Sequence, residues 1–68
     1  MKKRQELARM MLENVNAVLL TINRFGPISD DDLKGTIPYP ELFDLTMGYM
    51  DDAGLVTWYE ECYWEKGA

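Results

Sequence analysis

Residues 35 to 65 contain no lysine or arginine, yet they carry Glu41, Asp44, Asp51, Asp52, Glu60, Glu61 and Glu65. Carboxylates at this density, without a compensating base, repel polyanions and favour encounter with basic surfaces. The other groups that could do chemistry are few. Histidine is absent and Cys62 is the single cysteine, which removes the commonest general base and any zinc site. Cys62 follows Glu61 and has no cationic neighbour in sequence to lower its pKa, so it reads as a structural thiol. No glycine-rich phosphate loop, nucleophile elbow or paired metal motif occurs. The run Asp30–Asp32 lacks the alternating oxygen ligands and distal glutamate of a calcium loop. The expectation is a protein without catalysis, metal, cofactor or small-molecule substrate.

Four aromatic residues, Trp58, Tyr59, Tyr63 and Trp64, crowd the end of the acidic half. Neighbours on a strand point to opposite faces, so both faces of this segment must carry rings. One face packs inward. The other either covers the first helix or supplies binding anchors, a role for which Trp and Tyr are enriched. Stacking of single-stranded bases would need a positively charged groove, which this half lacks.

The elements that position these residues follow from periodicity and punctuation. Leu7, Met11, Val18, Ile22 and Phe25 recur at helical spacing and predict a helix over 3–25, stopped by Gly26 and Pro27. Its apolar stripe is wider than one small core requires. Ala8, Leu12, Val15 and Leu19 extend it sideways, Met10 and Leu20 fall on the otherwise polar side, and either full burial or a self-association seam would cover the excess. Ser29, with Asp32 placed to reach back, predicts a short capped helix over 29–35. Two prolines then impose extended backbone on IPYP, and Pro40 suits the first turn of a helix over 40–53 that ends before Gly54. On that helix Phe43, Met47 and Met50 form one apolar stripe and Leu42, Leu45 and Tyr49 a second, and either could face inward. Residues 55–65 are β-branched and aromatic and predict a hairpin. Glu60-Glu61 lacks the residues that favour a tight two-residue turn, so a longer loop is expected there.

At 68 residues, 47% apolar and 28% charged, the chain is expected to form a single domain over 1–68 with a thin stability margin. A lone thiol suits a reducing, cytoplasmic setting. The basic opening MKKR is not followed by a contiguous apolar core, so neither a signal peptide nor a membrane span is expected.

The order of elements, with GPIS at 26–29, Leu33, MDDAGLV over 50–56 and CYWEKG over 62–67, resembles the winged helix-turn-helix superfamily. The resemblance implies a mainly α fold, three helices plus a two-stranded wing, with Phe43, Met47 and Met50 turned inward and Leu33, Ile37, Leu55 and Val56 completing the core. In DNA-binding members the exposed face of the third helix enters the major groove and the wing reaches the backbone. Carried to this chain, that face would hold Glu41, Asp44, Leu45, Gly48, Asp51 and Asp52, with Glu60 and Glu61 at the wing tip. None of these can neutralise a phosphate, so nucleic acid is disfavoured as a partner of this face.

The sequence therefore points to a small interaction module that docks on, or inhibits, a protein with a basic surface. Its contacts would come from Glu41, Asp44, Leu45, Tyr49, Asp51, Asp52, Trp58, Tyr59, Glu60 and Glu61, and the first helix could support a homodimer. The inhibitor form, imitating phosphate charge, has analogues among compact acidic proteins of phages and mobile elements. The alternative is a dimeric DNA-binding regulator that uses Lys2, Lys3, Arg4, Arg9, Arg24 and Lys34.

Overall fold

Good helix formers dominate residues 2–25, and α1 runs unbroken from Lys2 to Phe25. The computed structural model describes residues 2–65, so Lys66 and Gly67 of the CYWEKG stretch lie outside the described residues. Gly26 takes φ 83° and donates its N–H to Ile22 O at 2.7 Å, which closes the helix as its position before Pro27 predicts. At 1.5 Å per residue α1 is about 36 Å long. That nearly matches the longest dimension of the molecule, 38 Å, so the later elements cover only its middle.

This overhang corrects the expected stripe. Val15, Val18 and Ile22 are buried and Met11 is half-buried, but Leu7 is 40% and Phe25 69% exposed. Periodicity continues past the point where there is anything to pack against. Arg24 lies over the Phe25 ring, 5.5 Å from its centroid, and partly screens it. The inward line contains a polar residue instead: Asn14 is fully buried.

α2 spans Asp30–Lys34, with Ser29 Oγ accepting from the Asp32 N–H at 3.3 Å. The expected reciprocal bond from Asp32 to the Ser29 N–H is not found, and Asp30 Oδ1 satisfies a different first-turn donor, the Asp31 N–H, at 2.9 Å. Leu33 anchors this short helix in the core. The predicted helix over 40–53 divides into a 3-10 turn, Pro40–Leu42, and α3, Phe43–Asp52. Gly54 at φ 76° ends α3, with Leu55 N–H on Met50 O (2.8 Å) and Gly54 N–H on Asp51 O (3.0 Å), the paired bonds of a Schellman stop.

The choice between the two stripes of α3 is resolved by Thr46. It is fully buried beside Phe43, Met47 and Met50, and its hydroxyl accepts a 3.1 Å bond from Asn14 Nδ2. Asn14 also donates to Tyr39 O (2.9 Å) and accepts from Tyr39 N–H (3.0 Å). Tyr39 sits between two prolines and has no regular ladder for its backbone groups, and a side-chain amide offers the donor and acceptor that they need. One asparagine thus ties α1, the IPYP segment and α3 together.

Strands β1 (Val56–Tyr59) and β2 (Cys62–Glu65) pair antiparallel, with Val56 opposite Glu65, Thr57 opposite Trp64, Trp58 opposite Tyr63 and Tyr59 opposite Cys62. The strand begins at Val56, with Leu55 half-buried before it. The expected longer loop is not found: Glu60 and Glu61 form a tight two-residue turn at φ 53° and 61°. Both angles are positive because this mirror-image turn matches strand twist. Pairing on the strands enforces it. Trp58 and Tyr63 rings lie 4.7 Å apart, Tyr59 and Trp64 rings 6.3 Å apart, and Trp64 Nε1 donates to Tyr59 O at 2.8 Å. Ile28 bonds Tyr63 in both directions (3.2 and 2.8 Å) and clamps the free edge of β2.

Left-handed backbone at two glutamates carries a local cost of about 1 kcal/mol per residue. Replacing the pair with Asn-Gly is therefore expected to raise stability by about 1–2 kcal/mol. Urea unfolding would read this as a higher midpoint at unchanged slope; a lower midpoint would mean that the two glutamates make contacts beyond the turn.

The result is a mainly helical chain with one two-stranded hairpin, compatible with a winged-helix shape. The core comprises Val15, Val18, Ile22, Leu33, Ile37, Phe43, Met47, Met50 and Val56. No helix among the described residues is long and apolar enough to cross a membrane.

Candidate protein-docking surface

Because Phe43, Thr46, Met47 and Met50 turn inward, Asp44, Gly48 and Asp51 fall on one exposed line of α3 at positions i, i+4 and i+7. The hairpin rises beside this line. Asp44, Met47, Gly48, Asp51, Trp58 and Tyr63 enclose an open cleft of about 190 Å³. Trp58 is half exposed, and its ring packs at a 59° tilt against Tyr63, whose own ring meets Phe43 edge-on at 6.4 Å. The cleft wall is therefore rooted in the core.

Gly48 forms the floor. A Cβ there would meet nothing within 4 Å and its φ is not positive, so neither crowding nor backbone geometry requires glycine. In the interior of a helix it costs about 1 kcal/mol relative to alanine. What glycine does provide is room between the two carboxylates.

The local potential is negative. Burial holds the Tyr63 phenol above its ordinary pKa, and Asp30, Asp44 and Asp51 push it in the same direction. Tyr63 thus stays protonated throughout the neutral range and registers the field of the carboxylates around the cleft.

Other residues singled out from the sequence lie elsewhere. Glu41 on the 3-10 turn and Asp44, Asp51 and Asp52 on α3 are all exposed. Glu60 and Glu61 form the exposed hairpin tip. Leu45 and Tyr49 are about half exposed on the flank away from the hairpin, and Tyr49 faces a different groove, shared with α1. Tyr59 lies on the opposite face of the ribbon, with Trp64. The expected docking set thus spans several faces, and only Asp44, Asp51 and Trp58 of it converge. Met47, Gly48 and Tyr63 complete the cleft. The hairpin register, which brings Trp58 onto Tyr63, was the missing signal.

Along α1 the four residues suggested for self-association also separate. Leu19 is half-buried against the core, Leu12 and Leu20 are exposed, and Met10 is half-buried. At 100° per residue Leu12 and Leu19 share a line, while Met10 lies almost opposite. They do not make one seam.

The basic residues are scattered. Arg9 pairs with Glu13 at 3.3 Å and with Glu6 at 3.9 Å on its own helix, and Lys34 lies over the Phe43 ring at 5.6 Å. Arg4 and Arg24 stand twenty residues apart on α1, about 30 Å. Among the described residues no three of His, Cys, Asp or Glu are grouped to hold a metal ion.

Comparison with family models, curated proteins and solved structures found no significant match. The reading of the surface therefore rests on its own chemistry. Two carboxylates two helical turns apart, about 10 Å along the axis, are too distant for one cation to bridge. Their spacing leaves open room between them above Gly48. A planar guanidinium over Gly48 would meet the Trp58 face and fork to one carboxylate, leaving the other for a second base.

Proposed function

We propose that this protein is a small non-enzymatic interaction module of winged-helix type that docks on a basic protein segment through the cleft between α3 and the hairpin. The observation that supports this reading is the open glycine floor between Asp44 and Asp51 with Trp58 as its wall. Arginine suits the site better than lysine, because only a planar, weakly hydrated cation can stack and fork together. Complementary charge speeds the encounter, and the aromatic wall anchors the complex. In its inhibitor form the acidic face would compete with nucleic acid for a partner's basic site, as an acidic phage protein could.

A titration followed by tryptophan fluorescence tests the reading. An arginine-rich peptide is expected to bind, its lysine counterpart several-fold more weakly, and both to weaken as salt rises. Equal binding of the two peptides, or none, would count against the cleft.

One observation favours the second reading, a DNA-binding regulator: Lys3 and Arg4 are exposed on the free first turn of α1, where no acid accompanies them. Random duplex DNA at low salt is the discriminating titrant. Tight binding with a steep salt slope would favour the regulator.

A further inference from the structure

The first two turns of α1 bury no described side chain: every one from Lys3 to Arg9 is exposed. They are not a polar spacer. Leu7 and Leu12 are exposed, and Ala8, Met11, Leu12 and Val15 join Tyr49 and Leu55 to line an apolar groove of about 380 Å³. It is twice the size of the acidic cleft and lies on the other flank of α3.

We infer that a second copy of this chain fills that groove, the free halves of the two α1 helices crossing antiparallel to make a symmetric dimer. Three features of the groove select this occupant. The residues that line it, Ala8, Met11 and Leu12, belong to the same protruding segment that would be inserted, which is the self-complementarity that a two-fold interface requires. Ala8 is small and lies at the middle of the segment, so two helices can approach closely there. Charge also matches: the free end of α1 offers Lys3 and Arg4 with no acid in its first turn, while Glu41 on the 3-10 turn and Asp52 at the end of α3 are exposed at helical spacing from Leu45 and Tyr49. A nucleic acid or a basic protein would satisfy only one half of this pattern.

This stretch of helix against a groove of this size falls at the low end of specific interfaces, below about 1,200 Å² in total, the range of weak and transient association. This surface is distinct from the acidic cleft, so the dimer stands or falls separately from the proposed docking function.

Sedimentation equilibrium of the full chain tests it, over about 1 μM to 1 mM in low salt. The expected result is a reversible monomer–dimer equilibrium within that range. Leu12→Glu is expected to weaken it about a hundredfold, because it places a charge on the apolar wall that the partner helix covers. Leu20→Glu, exposed on α1 but outside the groove, is expected to leave it unchanged. Both sites are exposed in the monomer, and circular dichroism should show the wild-type fold in each. Raising salt to about 0.5 M should weaken the dimer several-fold through its Lys3 and Arg4 contacts. A chain that stays monomeric at the highest concentration overturns the inference, as does equal sensitivity to Leu12→Glu and Leu20→Glu.

Discussion

Asn14→Ala is expected to lower stability by about 3 kcal/mol, a large fraction of the roughly 3–10 kcal/mol that a chain of this length commands. The substitution removes three hydrogen bonds at once and leaves the Tyr39 backbone N–H and C=O without their side-chain partner. A buried group left unsatisfied costs about 1–3 kcal/mol, more than the net gain of the bond it lost. Thr46→Val, which breaks only one of the three bonds and keeps the shape, should cost about 1 kcal/mol. A double-mutant cycle between the two sites should then show coupling of the order of 0.5–1 kcal/mol. Asn14→Asp adds a pH signature. Burial raises the folded-state pKa of a carboxyl at this position above its unfolded value near 3.9. Only the protonated acid can donate to Tyr39 O as the amide does. The variant should therefore be most stable below about pH 4 and lose stability as pH rises through the folded pKa. Urea unfolding at several pH values reads both effects. An Asn14→Ala midpoint close to wild type would show that water replaces the amide without cost.

The same asparagine explains where sequence reading stopped. Helix ends were legible because Gly26, Ser29, Pro40 and Gly54 act through local backbone chemistry, and each lies at an observed boundary. The inward face of α3 was not legible, since its two apolar stripes are equally good and the deciding residue, Thr46, is polar. Its partner Asn14 lies thirty-two positions away. Hydrophobic periodicity carries no trace of a buried amide. Periodicity also ran on to Leu7 and Phe25, because it records that a face is apolar and not whether anything covers it. At the hairpin, local turn preference pointed away from Glu60-Glu61, and the ring pairs with the Ile28 bridge to Tyr63 overrode it. The acidic arc was legible from charge alone, as solvated carboxylates face outward under either stripe choice. The cleft was not, because it exists only once the register turns Trp58 and Tyr63 toward α3.

Reversing the cleft's charge, Asp44→Lys with Asp51→Lys, is expected to weaken binding of the arginine-rich peptide at least a hundredfold. Two attractive contacts become repulsive, and each partly desolvated pair contributes on the order of 1–3 kcal/mol. The fold should tolerate the change, since both side chains are exposed and such substitutions fall within about 0.5 kcal/mol. A plug separates charge from shape: Gly48→Leu fills the floor while leaving both carboxylates, removes a helix-interior glycine, and should weaken binding without lowering stability. Tyr63 supplies a readout that needs no partner at all. Its phenol is raised first by burial and then by Asp30, Asp44 and Asp51, so removing two of those charges must bring its ionisation midpoint down toward the ordinary value. Ultraviolet titration measures this once the signal of a Tyr63→Phe control, which retains the other three tyrosines, is subtracted. A raised pKa also means that the protonated phenol contributes stability below its unfolded pKa near 10, lost as pH rises through the folded value. The double variant should shrink that alkaline loss, because its folded value lies closer to the unfolded one. If the phenol midpoint does not move, the carboxylates do not act on the cleft; if it moves while peptide affinity holds, the peptide binds elsewhere.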